Sequence, residues 1–208
     1  MNSVPPFVAN TEDGMHCVNA VFRMVAQHLL GRDYTWEEID ALSHASPPKA
    51  TWTFPVETAF AKMGLHVRNI EPIDYDRLHK EGLPYLKGLV GPDTYDYFAN
   101  KSNVESVLHL IPEFIATVEH ETRRAEMQEI LKWLQEGKLV AAELNSRILN
   151  NREGLSLHFV LLYDYDGENI LLHDPGLPPL ESRKVSVADF EKAFSYPGAN
   201  GETTLFWK

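Results

Sequence analysis

The sequence predicts an α+β fold, and three observations carry that expectation. The first two-thirds of the chain reads mostly in helical period, and from Gly137 onward it turns into short apolar runs bounded by turn residues. An Asp-Gly pair at 166–167 joins two of those runs as a hairpin. Helices followed by an antiparallel sheet make an α+β chain.

Taken in order, residues 15–30, MHCVNAVFRMVAQHLL, are apolar on most faces, with Asn19, Arg23 and Gln27 as one polar stripe at i, i+4 spacing. Such a helix is largely buried, and Gly31 stops it. DYTWEEIDALS follows as a second helix, with Thr35 as N-cap and Glu38 three residues on as the second half of a capping box. TFPVETAFAKMG gives a third, with Pro55 suited to its first turn and Gly64 to its exit. LHVRNI reads as a short strand. From Glu71 to Trp133 the text is helical and flecked with aromatics between Gly and Pro punctuation, and its first part, about 71–120, reads as an inserted helical layer or lid. KLVAAELN, SLHFVLLYDYDG, ENILLHDPG and TTLFWK then read as strands, and SVADFEKAF as a last helix capped by Ser186. HDPGLPPLESRK reads as a Pro-rich loop.

The 208 residues, 44% hydrophobic, suffice for one domain spanning 1–208 with a proper core. No window approaches the roughly 18–20 apolar residues of a membrane span, and the first residues lack the basic and apolar regions of a signal peptide. One cysteine forms no internal disulfide, which fits a reducing compartment, so a cytoplasmic location is expected. A formal charge of −11 and no basic stripe argue against nucleic acid as a partner.

That single cysteine, Cys17, stands where the loop NTEDGMH turns into the first helix. A thiol attacks only as its thiolate, and an ordinary pKa near ~8.5 leaves a few per cent ionised at neutral pH. Lowering it to about 5 takes roughly 5 kcal/mol at ~1.36 kcal/mol per unit, of which a helix dipole supplies at most ~2. A reactive Cys17 therefore needs an imidazole.

Nine histidines are available. His44, His66, His79, His109 and His120 fall in helices, loops or the insertion, His28 lies far down the cysteine's own helix, and His16 is a sequence neighbour that a helix turns elsewhere. His158 opens the most apolar strand, HFVLLY, where a polar loop meets the sheet. Sixteen residues later, across the Asp-Gly turn, Asp174 in LLHDPG is placed to hold that imidazole in one tautomer. His173 is expected on the opposite face, because strand side chains alternate.

A cysteine opening a buried helix near the N-terminus, followed far downstream by HFVLLYDYDGENILLHDPG, resembles the papain-like peptidases that cleave double-glycine leaders from bacteriocin precursors, and their stand-alone relatives. The resemblance covers residues 10–30 and 139–195 and implies a papain-like fold, with Cys17 as nucleophile, His158 as general acid/base and Asp174 as its orienter. It calls for no cofactor and no metal, and implies a peptide or small amide as substrate. Where that family places Gln six residues before the nucleophile, this chain has Thr11, so Asn10 is the candidate second oxyanion donor beside the Cys17 N–H. Val18 replaces the Gly that commonly follows the nucleophile, and Glu12 and Asp13 bring charge that opposes ionisation.

Candidate substrate-binding residues are Trp52, in WTFP, and Asn145 and Arg147, in the loop that also holds Asn150, Asn151 and Arg152. Each has a plainer reading: Trp52 as core, the loop as a solvated connection. Tyr85, Tyr95, Tyr97 and Phe98 in the insertion are placed to cap the cleft or meet a partner. The expected activity is a cysteine hydrolase cleaving a peptide or other amide through a thioester. An acyltransferase with the same triad, a peptide-binding module with an idle triad, and a working surface on the insertion are its alternatives.

Overall fold

The computed structural model describes residues 3–208, the side chain of Asp93 apart. Its frame is a seven-stranded sheet in the order β2-β1-β7-β3-β4-β5-β6, made of β1 (His66–Glu71), β2 (Glu119–Thr122), β3 (Leu139–Asn145), β4 (Leu157–Tyr165), β5 (Asn169–Asp174), β6 (Leu180–Ser186) and β7 (Thr203–Trp207). Every neighbouring pair is antiparallel except β1 and β2. A parallel pair needs a long crossover, and residues 75–117 supply it as helices α4 (Tyr75–Glu81), α5 (Leu83–Leu89), α6 (Pro92–Lys101), α7 (Val104–Val107) and α8 (Ile111–Thr117).

Helices cover both faces of the sheet. One face packs α1 (Cys17–Val25), α2 (Trp36–Ser43), α3 (Phe54–Lys62) and the crossover around Phe22, Phe60, Phe159, Leu161 and Phe206. The other packs α9 (Met127–Gln135) and α11 (Val187–Phe194) around Ile130, Leu134, Val160, Leu162 and Phe190. Phe159 and Leu161 thus point one way and Val160 and Leu162 the other, as the period of two requires. With both faces covered, the middle of β4, Phe159 to Tyr163, is apolar on both sides instead of alternating. Phe22 is fully buried against Phe60, Phe159 and Phe206. Burying such a ring contributes about 1.5–3 kcal/mol, and here it seats α1 on β4.

Local signals set several boundaries as expected. Thr35 and Glu38 form the capping box of α2, Pro55 sits in the first turn of α3, and the Ser186 side chain accepts from Asp189 N–H at the start of α11. The polar stripe of α1 faces acids: Asn19 donates to Asp40, and Arg23 and Gln27 donate to Asp33.

The structure differs from the sequence reading at several places. The first helix is α-helical only to Val25 and ends in a π-helical turn, Ala26–Leu30. Glu119–Thr122, within the stretch read as helical, is β2. Its four polar residues carry no apolar alternation, and pairing with β1 forms it. Leu180–Ser186, read as loop, is β6, an exposed edge strand paired to β5. The sheet is therefore not confined to the C-terminal part.

Candidate active site

Cys17 is the first residue of α1. The preceding loop is fixed by its own polar groups. Asn10 Oδ1 accepts from the N–H of Thr11 (2.9 Å) and of His16 (2.8 Å), and Asn10 N–H donates to Pro175 O at 2.9 Å. His16 turns its ring to Thr11 Oγ1 and Asp40 Oδ2, at 2.7 and 3.1 Å, away from the sulfur's side of the helix. Asp13 spends its carboxylate on Thr11 and the Met15 N–H. No acidic side chain lies in the first turn of α1, so its free N–H groups favour negative charge there.

The hairpin of β4 and β5 brings His158 and Asp174 together. His158 Nε2 lies 2.7 Å from Asp174 Oδ1, which also accepts from Gly176 N–H at 2.9 Å. Asp174 Oδ2 accepts from Arg183 at 2.9 Å. Both residues are buried, Asp174 at 4% exposure and His158 at 9%, and Cys17 is half-buried beside them. Burial alone would push the Cys17 thiol up. The hydrogen bond and charge of His158, with the backbone amides of Phe159 and Val18, outweigh it and hold the thiol below its usual value. Burial disfavours a charged His158, yet Asp174 and Cys17 together push it up to about 10. Asp174 is held below the usual carboxylate range against its burial, by His158 first and then by Gly176 N–H and Arg183.

These three side chains open on one cavity of about 550 Å³. Trp52 lines it, as do Tyr97 and Phe98 from the crossover, while Gly14, Met15 and Leu177 border the side nearer the cysteine loop. Trp52 is also part of the core: its ring meets Phe54 and Phe98, and its Nε1–H donates to Ser102 Oγ at 3.1 Å. Asn10 lines the cavity next to Cys17. Because its oxygen is held by two N–H donors, its amide NH₂ is the end left for another partner.

Asn145 and Arg147 fall outside the cavity lining. Asn145 is fully buried, donating to Gly154 O and accepting from the N–H of Arg147 and Ser156, so it closes its own loop. Arg147 donates to Glu153 O within that loop. Ser146, Asn150 and Arg152 line the cavity from the same segment. His173 stays apart from the site as alternation requires, its Nε2–H donating to Pro5 O at 2.8 Å and its Nδ1 accepting from Ser182 N–H at 3.1 Å.

Two features escaped the sequence reading. Arg183 was hidden in a segment read as loop. Glu71, Glu143 and Glu202 line the cavity from three neighbouring strands or their approaches, with Glu57 buried close by. Burial pushes Glu57 and Glu143 up to about 7, Glu71 to about 8 and Glu202 well above the usual range. Their acceptors are used: Glu71 by Tyr75 OH and Asn200 Nδ2, Glu143 by Asn200 N–H, Glu202 by Thr53 and Glu57 by Thr204. A glutamate interrupting the apolar run LVAAELN was the available signal.

No family model and no curated protein matches the sequence. Among solved structures, the chain is similar to the peptidase domain of Streptococcus ComA, a bi-functional ABC transporter involved in a quorum sensing pathway. That match has a TM-score of 0.50 at 13% identity and covers 96% of each chain. It is also similar to a double glycine motif protease from an AMS/PCAT transporter, solved in complex with the leader peptide, again with a TM-score of 0.50 at 13% identity, over 99% of this chain and 92% of that one. No helix among the described residues is long and apolar enough to cross a membrane. At this identity the likeness is one of fold, and the fold of this chain is that of the papain-like cysteine peptidase domains.

Proposed function

We propose that the chain is a cysteine hydrolase that cleaves a peptide or other amide bond with Cys17, His158 and Asp174. The observation that carries this reading is the meeting of the three at one end of a cavity, with the thiol held low and the imidazole held high by each other. The Cys17 thiolate attacks the carbonyl carbon, forming a C–S bond and an oxyanion, which the Cys17 N–H and the Asn10 amide NH₂ receive. As the oxyanion collapses the C–N bond breaks, and the His158 imidazolium gives its proton to the departing amine. Water, losing a proton to His158, then attacks the thioester. The C–S bond breaks, the acid leaves, and the ion pair is restored. Asp174 holds the imidazole in place and stabilises its charged form throughout.

A peptide is the favoured substrate class, since a protease of the same fold holds a leader peptide and Trp52 and Phe98 offer apolar walls here. The double-glycine leader peptidases are the functional frame in which we read the chain.

The test is the rate of Cys17 alkylation by iodoacetamide at pH 6. An ion-paired thiolate is expected to react at least tenfold faster than free cysteine at that pH, and His158→Ala to remove the advantage. Slow labelling in the wild type, indifferent to His158→Ala, overturns the reading.

A further inference from the structure

Arg183 lies at the end of a chain of contacts that begins outside the site. On edge strand β6, Arg183 stands opposite Leu172 and Leu180 opposite Asp174, so Glu181 and Ser182 together face His173 alone. That two-against-one count is a β-bulge, and Ser182 occupies it at φ 51°, a left-handed conformation that a serine adopts only where its surroundings impose it. The imposing group is His173. Its Nδ1 accepts the Ser182 N–H, and its Nε2–H is tied to Pro5 O. Burial pushes His173 below its usual value, so the ring stays neutral and Nδ1 stays an acceptor.

The bulge turns Arg183 along the sheet, where its fork spans two elements: one nitrogen donates to Asp174 Oδ2 at 2.9 Å and the other to Leu149 O at 2.5 Å, in α10 (Ser146–Leu149). The Arg183 side chain is 17% exposed and that of Asp174 5%, so solvent screens the pair weakly. Among the described residues, the charged groups bonded to Asp174 are His158 from β4 and Arg183 from β6, with Cys17 of α1 beyond the imidazole. A carboxylate held only by His158 and Gly176 N–H is free to pivot about Oδ1. One held at Oδ2 as well is not.

We propose that Arg183 is the positioning residue of this site, clamping the Asp174 carboxylate in the rotation that presents Oδ1 to His158, with the Glu181–Ser182 bulge as the device that aims it. The proposal rests on the hydrolase reading. With Arg183 gone, the Asp174 carboxylate loses its fixed rotation, and its hydrogen bond to His158 weakens. His158 then holds its own proton less well, and the Cys17 thiolate with it.

The experiment is the pH profile of Cys17 alkylation by iodoacetamide in the full chain, with thermal melting of each variant. Arg183→Gln is expected to move the acid limb upward by about one pH unit, up to a tenfold slower reaction on the rising limb, below both inflections. Arg183→Lys keeps the charge and loses the two-element fork, and is expected to fall between, about threefold slow. In an Asp174→Asn background Arg183→Gln should add nothing, because its route of action is already cut. A folded Arg183→Gln with the wild-type profile overturns the proposal and leaves the hydrolase reading standing, provided the wild type reacts fast and His158→Ala slowly. If Arg183→Gln does not fold, Arg183→Lys decides, and a wild-type profile there overturns it. A wild type that labels slowly whatever stands at 158 removes the hydrolase reading and this proposal together.

Discussion

His158 Nε2 stands 2.7 Å from Asp174 Oδ1 although sixteen positions separate them, because β4 and β5 run back on each other through the turn at 166–168. The pairing commits Nε2 to the carboxylate and leaves Nδ1 as the ring nitrogen for the thiol. It also fixes the direction in which pH acts on the site.

Against burial, Asp174 and Cys17 raise His158 to about 10 from an ordinary 6.5. The imidazolium is therefore present up to about pH 9 and is lost as pH rises through 10. Hydrolysis by the wild type is expected to hold up to about pH 9 and then fall. Asp174→Asn removes the anion, so the alkaline limb should move down by at least one unit, about twofold in rate at pH 9 and approaching tenfold above pH 10. Rate against pH, or NMR titration of the His158 ring, checks it.

Gly176 is the residue whose side chain the site has no room for. A Cβ there would stand 2.9 Å from Asp174 Oδ1 and 3.2 Å from His158 Nε2. Gly176→Ala should displace the pair by several tenths of an ångström and lower activity by about 10²-fold. Because Gly176 lies at the cavity rim, the melting temperature is expected to change little. Steady-state rates beside a thermal melt separate the two effects.

Phe22 joins α1 to the sheet through three aromatic neighbours at full burial. Phe22→Ala should cost about 3–5 kcal/mol in a denaturant titration. The helix that presents Cys17 loses its seat, so fast alkylation should be lost at a lower denaturant concentration than in the wild type.

The buried glutamates set a stability trend of opposite sign to acid denaturation. Burial raises Glu143 from an ordinary 4.5 to about 7, so between these values the folded chain holds a proton that the unfolded chain releases. Its contribution is fully present below 4.5 and declines as pH rises through 7. Glu143→Gln keeps an oxygen for the N–H groups of Asn200 and Gly201 and removes the titration. The variant is expected to lose less stability than the wild type between pH 5 and 8, read from urea midpoints.

Much of the site is legible in local sequence. A thiol at a helix start, a histidine at the head of an apolar strand and an aspartate on its hairpin partner are each set by local rules: helix period, strand alternation and turn chemistry. The same rules set the capping box of α2 and the separation of His173 from His158. The remainder depends on the assembled fold. β2 and β6 have no apolar period of their own and exist because a neighbouring strand supplies their hydrogen bonds. Asn145 looked available in a polar loop, and folding consumed its amide within that loop. Arg183 reaches Asp174 through a bulge held by His173 from the adjacent strand, and the Glu71–Glu143–Glu202 wall gathers positions far apart in the chain. Local sequence encodes what a segment does with its own backbone, whereas a contact between distant segments depends on where the shared core places both.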